Sequence, residues 1–164
     1  VVDQGLIELQ TNNVEAAEAF FQEAYDLAPD NPSAAVFYAG TLYILGKTEV
    51  GRQVASTSAR TLVVASTNDF LINAVNNAED FDFLAQLYEL RVEQRPNNPQ
   101  DRASLAFIYY QLDDSESAIT SLEAAAEAIP NFAPRAQCYI SNLEAGIDPA
   151  TPCPAIAGEA ASAE

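Results

Sequence analysis

A chain of 164 residues, 49% hydrophobic and 19% charged, is long enough for one domain or a short repeat array, and its composition excludes a disordered chain. Seven Lys and Arg against 24 Asp and Glu give a net charge of −17, which makes nucleic acid and anionic membrane surfaces poor partners for want of clustered positive charge. There is no His, Met or Trp, so catalytic and metal schemes that need imidazole are excluded.

The sequence opens Val1-Val2-Asp3, without Met, and is therefore expected to be a processed or excised part of a longer product. Residues 15–28 read as an amphipathic helix stopped by Pro29-Asp30-Asn31-Pro32, and residues 33–45 as the next helix, ended by Gly46-Lys47-Thr48. A degenerate helix follows around Gly51 and Ala55. The apolar run Thr61 to Ala65 is far short of the roughly 20 residues of a membrane span. A third unit is expected from about Asn68, with its closing helix from Phe83 and its stop at Arg95-Pro96-Asn97-Asn98-Pro99.

From Asp101 to Leu112 apolar residues recur three and four apart, as one face of a helix requires. Asp113-Asp114-Ser115 breaks that helix and caps the next, which runs from Ser117 to a stop at Pro130-Asn131. Pro134 to Gly146 reads as a last helix capped by Gly146, and residues 147–164 as a tail rich in Pro, Ala and Gly. Pro130 follows Pro96 by 34 residues and Pro96 follows Pro29 by 67, two steps of about the same size. A period of that length is the mark of a repeat array. The expected unit is helix, tight turn, helix and proline stop, in an all-α chain.

The pattern resembles the tetratricopeptide repeat. In the fourth unit Leu105, Ala106, Tyr109, Ala118, Leu122, Ala125 and Pro130 fall at the family's spacings, and in the first Gly5, Ala17, Phe21, Ala24 and Pro29 do, with Glu8 where an aromatic is usual. The second unit offers Gly40, Tyr43, Gly51 and Ala55, and the third Leu71, Leu84, Tyr88 and Pro96. The resemblance implies a right-handed α-solenoid over residues 1–146, four helix pairs sealed by a capping helix, followed by the tail 147–164. It also implies a concave groove lined by the first helix of each pair. Carried over residue by residue, the groove positions are Val2, Leu6 and Leu9, then Phe37, Thr41 and Ile44, then Asn73 and Asn76, then Phe107 and Tyr110. Family members that clamp a carboxylate use Lys, Arg and Asn there, and these positions hold no Lys or Arg. A neutral or cationic protein partner is expected.

Cys138 and Cys153 are close in sequence, and a bond between them would pin the tail onto the last helix. The alternative is two free thiols, as in a cytosolic protein. The bonded form points to an oxidising compartment outside the cytoplasm, extracellular or in the cell envelope. Two cysteines without histidine do not make a zinc site. Glu79-Asp80, Asp82 and Asp113-Asp114 read as helix caps and solvated acids, not acid/base pairs; calcium binding is expected only as a weak effect of charge. No nucleophile motif or phosphate-cradling glycine loop is present, so no catalysis and no cofactor are expected. The function expected is a non-enzymatic, exported scaffold for protein interaction or assembly. The alternatives are a subunit stacking head to tail into an extracellular filament, and the soluble C-terminal part of a larger envelope membrane protein.

Overall fold

The computed structural model describes residues 1–57, 68–149 and 151–153. These form nine helices: α1 Val2–Gln10, α2 Val14–Leu27, α3 Pro32–Ile44, α4 Thr48–Thr57, α5 Asn68–Asn77, α6 Phe81–Gln94, α7 Pro99–Gln111, α8 Ser115–Ala128 and α9 Ala133–Glu144. Among the described residues there is no strand, and no helix is long and apolar enough to cross a membrane. The Thr61–Ala65 run and most of the expected tail lie outside the described residues.

Short turns fold each first helix back onto a second. A residue with left-handed backbone sits in each of these turns, at Asn12, Gly46, Glu79 and Asp113, and again after α9 at Gly146, spaced 34, 33, 34 and 33 residues apart. After each, the next amide donates to a carbonyl five residues back: Asn13 to Glu8, Lys47 to Leu42, Asp80 to Val75, Asp114 to Tyr109 and Ile147 to Asn142, at 2.8 to 3.2 Å. That bond closes the end of the first helix and turns the chain sharply. The turns therefore record the repeat more faithfully than the prolines, and they count α9 with Gly146 as the opening half of a fifth unit.

Between units, an asparagine and a proline restart the helix. Asn31 Oδ1 accepts from the amides of Ser33 and Ala34 at 3.0 and 3.2 Å, and Asn98 Oδ1 from those of Gln100 and Asp101 at 2.9 and 3.2 Å. Pro32 and Pro99 follow as first helical residues, where their missing N–H costs nothing. Asp114 caps α8 through the Ser117 amide at 3.0 Å.

The chain divides into two compact units, Val1–Leu87 and Tyr88 onward, with the division inside α6. In the first unit α3 packs against α2, α4 and α5, and all ten residues from Ala34 to Tyr43 are buried. A largely apolar run with neighbours on three sides needs no polar face. Phe21 fills the space opposite Gly5, where an added Cβ would lie 2.5 Å from the ring. Phe21 stacks on Phe37 at 5.2 Å between centroids, and Phe37 meets Phe70 at 5.4 Å. In the second unit α7, α8 and α9 enclose Ala106, Ala118, Leu122, Ala125, Phe132, Ala136, Ile140 and Leu143.

Candidate protein-interaction surface

Eight of the ten expected groove residues reach the surface. Val2, Leu6 and Leu9 on α1 are half-buried, Ile44 at the end of α3 and Asn73 and Asn76 on α5 are exposed, and on α7 Phe107 is 39% exposed beside the half-buried Tyr110. The two α7 rings stand 6.5 Å apart. Phe37 and Thr41 do not join them: Phe37 is held between Phe21 and Phe70, and Thr41 is fully buried.

The reason is that α2, α4 and α5 enclose α3, so that every residue from Ala34 to Tyr43 is buried. The second unit is also framed one position late. Gly5 lies seven residues before the turn residue Asn12; the residue seven before Gly46 is Ala39, not Gly40. Choosing Gly40 as the small residue moved the whole second unit by one. Gly40 is small for a different reason: a Cβ there would collide with the Phe70 ring. Residues Phe37 and Thr41 therefore lie one step off the frame shared by the other units.

Exposed acids stand on first helices, as Asp3 on α1 and Asp69 on α5, and more densely on the second helices. Glu15, Glu23 and Asp26 are exposed on α2, and Glu116, Glu123 and Glu127 on α8. Glu18 is neutralised by Lys47 at 2.7 Å. Apolar side chains on first helices and carboxylates on second helices suit a partner with an apolar face and a neutral or positive rim.

Two polar clusters escaped the reading of the sequence. Asp80, in the turn between α5 and α6, receives a forked pair from Arg52, Nε to Oδ2 at 3.2 Å and Nη2 to Oδ1 at 2.5 Å, and the Tyr43 hydroxyl donates to Oδ2 at 2.7 Å. The Phe83 amide donates to Oδ1 at 3.3 Å. Burial pushes the Asp80 carboxyl upward, but the Arg52, Tyr43 and Phe83 hydrogen bonds outweigh it and hold it below the usual carboxylate value. Burial, then the bond to Asp80, raises the Tyr43 hydroxyl. In the second unit Asp101, 3% exposed at the start of α7, is paired with Arg95 at 3.0 Å and Arg91 at 3.4 Å. Both clusters fasten one helix pair to the next, and Arg95 of the second also lines a shallow, open hollow with Pro96, Asn97, Asn98 and Pro99. The one advance signal, for Asp80 alone, was positional, since it stands one repeat before the capping Asp114.

Cys138 and Cys153 are bonded, with Cα atoms 6.0 Å apart. Among the described residues no group of three or more Cys, Asp or Glu side chains is placed to hold a metal ion.

Helix pairs recurring every 33 or 34 residues around small-residue contacts define a helical-repeat scaffold. The tetratricopeptide repeat pattern matches residues 2–31 and 102–132. No curated protein matches the sequence. Among solved structures, MamA AMB-1 in form P212121 is 21% identical, with a TM-score of 0.55 over 77% of this chain and 69% of that one. MamA MSR-1 in form C2 gives the same identity and score over 77% and 74%, and MamA AMB-1 in form C2221 gives 0.54 over 77% and 75%. At this identity the likeness is one of fold.

Proposed function

We propose that the chain is a non-enzymatic scaffold that holds a protein segment against its first helices, and that it works outside the cytoplasm. The observation that carries the reading is the exposed Phe107 beside Tyr110 on α7, an aromatic pair on a rigid helix in a repeat matched to an interaction family. Aromatic side chains on a fixed backbone are efficient anchors because little conformational freedom is lost on contact. The net charge of −17 selects a neutral or cationic segment. The bond between Cys138 and Cys153 supports an oxidising compartment.

A peptide-display selection against the chain, followed by calorimetric titration of the recovered sequences, tests the reading. Apolar peptides with basic flanks are expected, and Phe107→Ala with Tyr110→Ala is expected to weaken them about tenfold or more. Recovery of acidic peptides, or binding indifferent to both substitutions, would refute it. The second reading is head-to-tail stacking into a filament, since each repeat buries its apolar face only against a neighbour. Light scattering with electron microscopy in non-reducing buffer separates them: filaments that lengthen as salt or calcium screens the charge support stacking, and a monodisperse species near 17.6 kDa excludes it.

A further inference from the structure

We propose, resting on the reading of α7 as a contact face, that its aromatic pair seats an arginine of the bound segment, with the guanidinium lying against Phe107 and Tyr110. The two residues stand three positions apart on the helix, so their rings are surface neighbours. Their centroids are 6.5 Å apart and their planes 42° from one another, so the rings do not close on each other as a stacked pair would. A cation about 4 Å off the midpoint stands about 5 Å from both centroids, inside the roughly 6 Å over which a ring attracts positive charge.

The surroundings of the pair favour a cation over an apolar side chain. One turn from Phe107 stand Ala103 and Ser104, both half-buried, and the exposed Gln111. Small and polar neighbours build no wall, and apolar attraction grows with the area taken from water. An aliphatic side chain laid there is covered from one side only. A guanidinium needs just the ring face beneath it, keeps its outer edge in water and stacks flat on an aromatic plane. The same contact already occurs in this unit, where Arg91 Cζ lies over the Tyr88 ring at 5.4 Å.

Charge points the same way. Between residues 88 and 153 there are four arginines and ten aspartates and glutamates. The arginines are engaged within the protein: Arg91 and Arg95 pair with Asp101, Arg102 donates to the Pro96 carbonyl at 2.8 Å, and Arg135 also has a partner. The field over the second unit is therefore negative, and it draws cations to the surface on which the two rings are presented.

Fluorine NMR with the capped pentapeptide Gly-Gly-Arg-Gly-Gly reads the seat directly. Two forms of the whole chain carry either 4-fluorophenylalanine or 3,4,5-trifluorophenylalanine at position 107, so the reporter is the ring itself. The added fluorines withdraw negative charge from the ring face and keep its apolar area. In about 0.15 M salt, which screens the long-range field, the peptide is expected to shift the 107 signal saturably and to bind the trifluoro form about two- to fivefold more weakly. Citrulline in place of the arginine, the same shape without the charge, is expected to weaken binding about threefold or more, and Tyr110→Leu by a similar factor. Equal or tighter binding by the trifluoro form, equal binding of the citrulline peptide, or no shift of the 107 signal would each overturn the proposal. If selected peptides then still depend on Phe107 and Tyr110, the scaffold reading stands with an apolar anchor; if they do not, both readings fall.

Discussion

The contact between Gly5 and Phe21 gives the sharpest test of the packing. Phe21 is fully buried, its ring atoms lie 2.5 to 2.8 Å from where a Gly5 Cβ would be, and its face is stacked on Phe37. Phe21→Ala removes that ring and leaves a cavity between α1, α2 and α3, at a cost of about 3–5 kcal/mol. Gly5→Ala places a methyl group inside the ring's contact distance and forces α1 away, at about 1–3 kcal/mol. In the double variant the added methyl enters the vacated space, so the two costs should fall short of additivity by about 1–2 kcal/mol. Urea unfolding followed by far-ultraviolet circular dichroism, with the bridge intact, measures all three variants against the parent. Unchanged slopes would show that the denatured state is not altered. Additive costs, or a Phe21→Ala cost below about 1 kcal/mol, would refute close packing at Gly5.

Three further outcomes follow from particular side chains. Asp80→Asn removes the charge that Arg52 and Tyr43 hold; because the Arg52 side chain is 40% exposed, solvent screening limits the cost to about 1–2 kcal/mol at neutral pH. The Asp80 carboxyl is held below its ordinary value, so its contribution is present above that value and disappears as pH falls through the lowered one; acid titration of stability should therefore show a smaller loss in Asp80→Asn than in the parent. Asn98→Ala deletes the cap of α7 and should cost about 1 kcal/mol in the same unfolding assay. Glu79 adopts φ 55°, so Glu79→Gly relieves a left-handed conformation and should stabilise the first unit by up to about 1 kcal/mol, read as a rise in melting temperature.

The helices and the bonding of Cys138 to Cys153 were legible because their causes are local. Pro32, Asn98, Pro99 and Asp114 are capping residues whose chemistry acts within three or four positions, and the cysteines are 15 residues apart. The second unit was misframed because two small residues, Ala39 and Gly40, stand side by side. Only the collision that a Cβ at Gly40 would make with Phe70, thirty residues on, explains which one meets the paired helix. The clasp of Arg52, Tyr43 and Asp80 was not legible for the same reason: only Asp80 stands at a repeated position, and its partners lie 28 and 37 residues away. The burial of Phe37 and Thr41 follows from neighbours on three sides of α3, which a single helix's pattern does not record.

The central claim is that the first helices of the repeats are the binding face. The most direct measurement is hydrogen-exchange and carbene-labelling footprinting of the chain with a selected peptide bound. Protection is predicted on α7, centred on Phe107 and Tyr110, with the acidic residues Glu116, Glu123 and Glu127 of α8 unchanged. Protection confined to Glu116, Glu123 and Glu127 of α8, or to α2, would contradict the account.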